Sequence, residues 1–163
     1  MAVHPSFGVL DRAISAHRRG HDQEALALAE AAWKMVANIP GAPPQAGVIG
    51  GFYGYLLGTV GSRMTEGLQL CGQACDAAFW EPRVFEYFAR LQLASGRRRE
   101  ALLTLERGLA VSPDDRDLRA LRRAMGTRQA PALSFLDRRH PLNRVIGRLL
   151  HRMRAPNGVP ATP

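Results

Sequence analysis

Three groupings in this chain have residue types and spacings that could do chemistry. They are Cys71 with Cys75, His17 with His21, and six glycines in the uncharged stretch GVIGGFYGYLLGTVG, Gly47 to Gly61. Cys71 and Cys75 lie four apart on one helical face; zinc would need more thiolate or imidazole nearby, and none stands there. Two side chains so directed on one regular helix do not close a disulfide, so buried packing is expected. Gly20 separates His17 from His21 and no HExxH follows, while His140 and His151 stand among arginines that repel a cation. No metal and no cofactor are expected. Glu24, Glu66 and Glu100 recur at the starts of helices rather than as a carboxylate pair, and there is no G-x-S-x-G. A non-catalytic protein is the expectation.

The glycine stretch admits three readings. A phosphate loop needs a Lys and Ser/Thr after its last glycine, but no lysine follows Lys34. The dinucleotide fingerprint needs G-x-G, which does not occur there. A membrane span is opposed by Pro43-Pro44, which leave about sixteen apolar residues, about 24 Å of helix against a bilayer core of about 30 Å. The third reading is a close-packed helix. Gly50, Gly54 and Gly58 fall on one face at i, i+4, i+8, and each interior glycine costs a helix about 1 kcal/mol relative to alanine. Close packing, or room for a partner, must offset that cost.

The elements around these residues form one domain's worth of chain. At 163 residues, with 46% apolar and 22% charged, the composition is that of a globular protein. Two cysteines and an N-terminus without a basic region and apolar run lead us to expect a cytoplasmic protein. Charge is uneven: residues 1–82 hold 5 Lys+Arg and 7 Asp+Glu, hence −2, and residues 83–163 hold 17 and 7, hence +10. An arginine surplus favours acidic partners.

A repeat organises the chain. Glu66-Gly67, Cys71 and Ala74-Cys75 recur 34 residues later as Glu100-Ala101, Leu105 and Gly108-Leu109, with a looser earlier copy at Glu24-Ala25, Ala29 and Ala32. Each copy is an amphipathic helix, and another precedes it: Phe7 to Arg18, Val48 to Val60, and Pro82 to Ala94. Gly20, Gly61 and Gly96 are placed to end those helices in a left-handed conformation. The second unit needs one extra residue in its turn. Beyond the repeats, a covering helix is expected with Asp114 as N-cap and Gly126 as its end.

A 34-residue period of two antiparallel helices resembles the tetratricopeptide repeat. The third unit carries the resemblance in Phe85, Phe88-Ala89, Gly96, Ala101 and Pro113; the second lacks the proline and the first lacks the large aromatic. The resemblance implies an all-α solenoid of about three hairpins (about 6–40, 47–80 and 82–113) with a capping helix at 114–125, together spanning 1–126. Residues 127–163 read as a basic extension with one amphipathic helix at about 141–154, entered at Pro141, and a mobile tail. That combination is similar to bacterial tetratricopeptide proteins with a basic tail, and three-repeat secretion chaperones share the size and repeat count.

The resemblance further implies a peptide-binding concave side lined by the first helix of each hairpin. Carried over, the groove comprises Leu10, Ile14 and His17, then Gly51, Phe52, Tyr55 and Gly58, then Arg83, Tyr87 and Arg90. Only the third unit offers cations, so an apolar groove with a basic end is expected rather than a carboxylate clamp. The expected partner is a protein or peptide, with acidic character favoured, and no small-molecule substrate is evident. The tail helix carries Leu142, Val145-Ile146, Leu149-Leu150 and Met153 on one stripe, able to dock on its own chain or to serve a partner. Arg97, Arg98 and Arg99, with Arg144, Arg148 and Arg152, are candidate anion contacts for a membrane surface or nucleic acid.

Overall fold

The computed structural model describes residues 4–37, 39 and 46–126. Seven α-helices follow one another: α1 (Pro5–Arg18), α2 (Asp22–Lys34), α3 (Ala46–Thr59), α4 (Met64–Ala77), α5 (Pro82–Ala94), α6 (Arg98–Val111) and α7 (Arg116–Ala124). No strand occurs among the described residues. The helix expected at about 141–154 and the tail expected to be mobile lie outside them.

Helices pair as hairpins, α1 with α2, α3 with α4 and α5 with α6, and each hairpin stacks on the next through α3 on α2, α5 on α4 and α5 on α3. α7 closes the stack against α5 and α6. The end residues show why the helices begin and stop where they do. Pro5 and Pro82 open α1 and α5, where no N–H is needed and φ is already helical. Gly20 (φ 81°) and Gly96 (φ 78°) turn the chain left-handed into α2 and α6.

The middle turn differs. It runs from Val60 to Arg63, one residue longer than its counterparts, and the left-handed residue is Ser62 (φ 56°), not the expected Gly61. Gly61 is small for another reason: a methyl group there would stand 2.8 Å from the Leu57 carbonyl oxygen. At α7 the N-cap is likewise one residue later than expected. Asp115 accepts from the backbone N–H groups of Asp117 and Leu118, and Asp114 instead accepts from Arg119.

α3 explains its own composition. Of its fourteen residues only Tyr55 and Thr59 escape burial, because α2, α4 and α5 surround it. A helix enclosed on so many sides has no polar face, so the stretch carries no charge. Its glycines face different neighbours. A methyl at Gly50 would lie 2.8 Å from the Trp33 ring of α2, one at Gly54 2.9 Å from the Gly67 carbonyl of α4, and one at Gly58 2.5 Å from Leu91 Cδ1 of α5. No helix among the described residues is long and apolar enough to cross a membrane.

Candidate functional site

The first helices of the three hairpins bring four rings together. His17 on α1 lies 5.7 Å from Tyr55 and 6.0 Å from Phe52, both on α3. Tyr87 on α5 lies 5.2 Å from Phe52 and 6.1 Å from Tyr55, almost parallel to the latter at 24°. Phe52 and Tyr55 stand three residues apart, a spacing that puts both rings on one side of α3. His17 is held from below, its Nδ1 standing 2.7 Å from Asp22 Oδ1 at the start of α2. Phe52 is buried, while His17, Tyr55 and Tyr87 are half-buried, so the last three form the part a ligand could touch.

Burial pushes the Tyr87 phenol up to about 12, and the neighbouring Glu86 carboxylate adds to this. The positive charges of Arg83, Arg90 and Arg18 act in the opposite sense on the same phenol. Two of them already have carboxylates: Arg83 donates from Nε to Glu81 at 3.0 Å, and Arg90 Nη2 lies 2.6 Å from Glu86 Oε1. Burial raises the Glu86 pKa, with Arg90 countering it. The expected basic end is therefore a rim of paired charges.

Of the ten expected groove residues, the structure gathers His17, Phe52, Tyr55 and Tyr87 into this cluster and sets Arg83 and Arg90 exposed beside it. Ile14 is half-buried on α1 and Leu10 is buried in the core. Gly51 and Gly58 do not line an open surface. Both are buried; a methyl at Gly51 would touch Ala74, Val84 and Tyr87 at 3.5–3.6 Å, and Gly58 is covered by Leu91. The glycine row thus serves helix crossing, because α5 lies over the side of α3 that was expected to face a partner. Sequence reasoning passed over Asp11 and Arg18, whose charges reach Arg83 and Tyr87. With Ile14 they form an i, i+3, i+7 stripe on α1, which the spacing alone would have revealed. It also passed over Glu81 and Glu86, the latter four residues before Arg90, a helical ion-pair spacing.

Arg97, Arg98 and Arg99 stand at the start of α6, and Arg97 pairs with Glu100 at 3.5 Å. Cations there oppose the helix dipole, which Glu100 in the first turn offsets. Arg144, Arg148 and Arg152 lie outside the described residues. The cysteines are free and buried; the Cys71 thiol is 3.3 Å from the Gly51 carbonyl and that of Cys75 3.5 Å from the Val84 carbonyl, donating to each. Burial raises the Cys71 pKa beyond the physiological range and pushes Cys75 up to about 12, so neither is a ready thiolate. Among the described residues no group of three His, Cys, Asp or Glu could hold a metal ion.

No protein-family profile matches the chain, and neither does any curated protein sequence. A solved structure described as the first TPR of Spaghetti (RPAP3) bound to HSP90 peptide SRMEEVD is similar at a TM-score of 0.56 and 13% identity, covering 74% of this chain and 91% of that chain. The likeness establishes the fold: an all-α helical repeat of the tetratricopeptide type.

Proposed function

We propose that the chain is a non-catalytic peptide-binding module that presents the face of α1, α3 and α5 to an extended or helical segment of a partner protein. The observation that carries this reading is the ring cluster His17, Phe52, Tyr55 and Tyr87, assembled from three successive hairpins and accessible on three of its four members. Aromatic side chains with a polar tip suit such a surface, since they offer contact area at low entropic cost. The similar solved domain holds a peptide with acidic residues, which supports a peptide ligand here. The paired state of Arg83 and Arg90 favours an apolar anchor residue over a purely acidic tail, with the charged rim setting direction.

The test is a peptide-display selection on the full chain, followed by titration of a selected peptide against Tyr55→Ala and Tyr87→Ala. Each variant should weaken binding by about tenfold, the scale of losing one aromatic contact. Unchanged affinity in both folded variants rejects this face as the site.

A second reading, binding of a phosphate-bearing surface such as a membrane or nucleic acid, draws on Arg119, Arg122 and Arg123, which line a 350 Å³ hollow beside Leu109. Arg119 and Arg122 already face Asp114 and Glu106, which lowers their pull on an external anion. Binding to DNA or anionic vesicles across a salt series tests it, with no binding at low ionic strength rejecting it.

A further inference from the structure

His17 brings more to the ring cluster than contact area. Its Nδ1 stands 2.7 Å from Asp22 Oδ1, across the left-handed turn at Gly20. A carboxylate oxygen only accepts, so Nδ1 donates, and in the uncharged ring a proton on Nδ1 leaves Nε2 with a lone pair. Asp22 opens α2, where the helix dipole favours its negative charge and so preserves this polarity. Nε2 sits across the ring from Nδ1 and is turned away from Asp22; no hydrogen bond among the described residues engages it. Gln92 Oε1 is the one side-chain nitrogen or oxygen among them that is buried without a partner, so Nε2 meets solvent. The repeat itself does not require this pair. Counted from the turn glycine, the third hairpin has Leu93 and Arg98 where the first has His17 and Asp22.

We propose that His17 Nε2 is the hydrogen-bond acceptor of the peptide face, taking a backbone N–H of an extended segment, with Asp22 as its positioning residue. This rests on the ring face being the peptide site. The hydroxyls of Tyr55 and Tyr87 can rotate to donate or accept, whereas Nε2 is held to accepting, so it sets the polarity of the face. An extended chain offers free N–H groups along its length, while those inside a helix are bonded to its own carbonyls. An acceptor 5.7 Å ring to ring from Tyr55 therefore selects the extended form, with an apolar side chain on the tyrosines and a neighbouring N–H on Nε2.

The test begins with the full chain alone, labelled with nitrogen-15, the His17 signal being the one lost in His17→Phe. At about pH 8, the upper end of the histidine range, the imidazole shifts should place the proton on Nδ1 in the wild type. In Asp22→Asn they should place it on Nε2, because the new amide can donate to Nδ1. A peptide selected by display on the full chain is then methylated at one backbone nitrogen at a time. One position should weaken binding to the wild type by about tenfold but to His17→Phe by less than about twofold, since phenylalanine keeps a ring and lacks the acceptor. Asp22→Asn should weaken the unmethylated peptide by about three- to tenfold with unchanged far-ultraviolet circular dichroism. A proton on Nε2 in the wild type overturns the proposal, and so does a methylation profile that is the same in wild type and His17→Phe. Loss of affinity in Tyr55→Ala and Tyr87→Ala alongside either result confines the failure to His17. Affinity unchanged in both tyrosine variants removes the peptide face itself, and the proposal with it.

Discussion

The second and third hairpins reach the same helix pairing with side chains of opposite size. Where α3 crosses α4, glycine meets glycine: a methyl at Gly67 would stand 2.5 Å from the Gly54 carbonyl oxygen and 2.9 Å from the Gly58 nitrogen. Where α5 crosses α6, the repeat places Ala101 at the position of Gly67, and the contact centres on a large ring. Phe85 is buried against Gly108, where a methyl would come 2.8 Å from its Cβ, and Arg107 covers the ring at 5.6 Å. The difference follows from enclosure. α3 is surrounded by α2, α4 and α5, so Trp33, Cys71 and Leu91 supply the volume and α3 itself must be thin. α5 sits nearer the end of the stack, closed by the short α7, and supplies the volume itself. One hairpin fails when something is added, the other when something is removed.

The largest effect should therefore come from taking volume away at the third hairpin. Phe85→Ala would leave a cavity beneath Gly108 and Leu118 and cost about 3–5 kcal/mol, measured as the change in unfolding free energy by urea titration. A loss below about 1 kcal/mol would mean that α7 collapses into the space, and the contrast between the hairpins would be weaker than drawn.

Adding volume at the second hairpin comes next. Gly67→Ala should destabilise by about 1–3 kcal/mol even though alanine favours helix, because its contacts are backbone atoms that cannot rotate aside. The reverse change in the third hairpin, Ala101→Gly, sharpens the comparison: it should cost about 1–2 kcal/mol, helix propensity together with the lost contacts of a fully buried methyl. A gain on Gly67→Ala, as helix propensity alone would give, would erase the distinction between a crossing built on glycine and one that tolerates a methyl.

Much of this was legible in the sequence, and the parts that were not share a physical reason. The three hairpins and the extra residue of the middle turn follow from helical periodicity and the 34-residue period, whereas the ring positions His17, Phe52, Tyr55 and Tyr87 came only from what the tetratricopeptide resemblance implies. Periodicity specifies which residues share a face, not which neighbour covers it. Gly51 and Gly58 share a face with Tyr55, yet α5 leans over them, and only the packing of α3 on α5 reveals that. Local competition escaped for a different reason. Asp114 and Asp115 are equally good caps by type, and the choice rests on Arg119 engaging the first while the second meets two backbone N–H groups. The pairing of Arg83 and Arg90 was readable from Glu81 and Glu86 at short spacing, had acid partners been sought alongside the cations.

Gly51 gives the smallest effect and the finest discrimination. Unlike its neighbours in the row, it has room: a methyl there would meet Ala74, Val84 and Tyr87 at 3.5–3.6 Å, which is ordinary van der Waals contact. Gly51→Ala should then gain most of the helix propensity, stabilising by up to about 1 kcal/mol, read as a rise in the urea midpoint at constant slope. The same methyl would lie beside the Tyr87 ring, so the variant also probes the ring cluster from beneath without entering it. Stabilisation with retained peptide affinity would mean that the glycine row belongs to packing alone and that binding resides in the rings above it. Destabilisation would mean instead that α5 presses on α3 more tightly than these distances allow, and that the second hairpin is as intolerant at Gly51 as it is at Gly54.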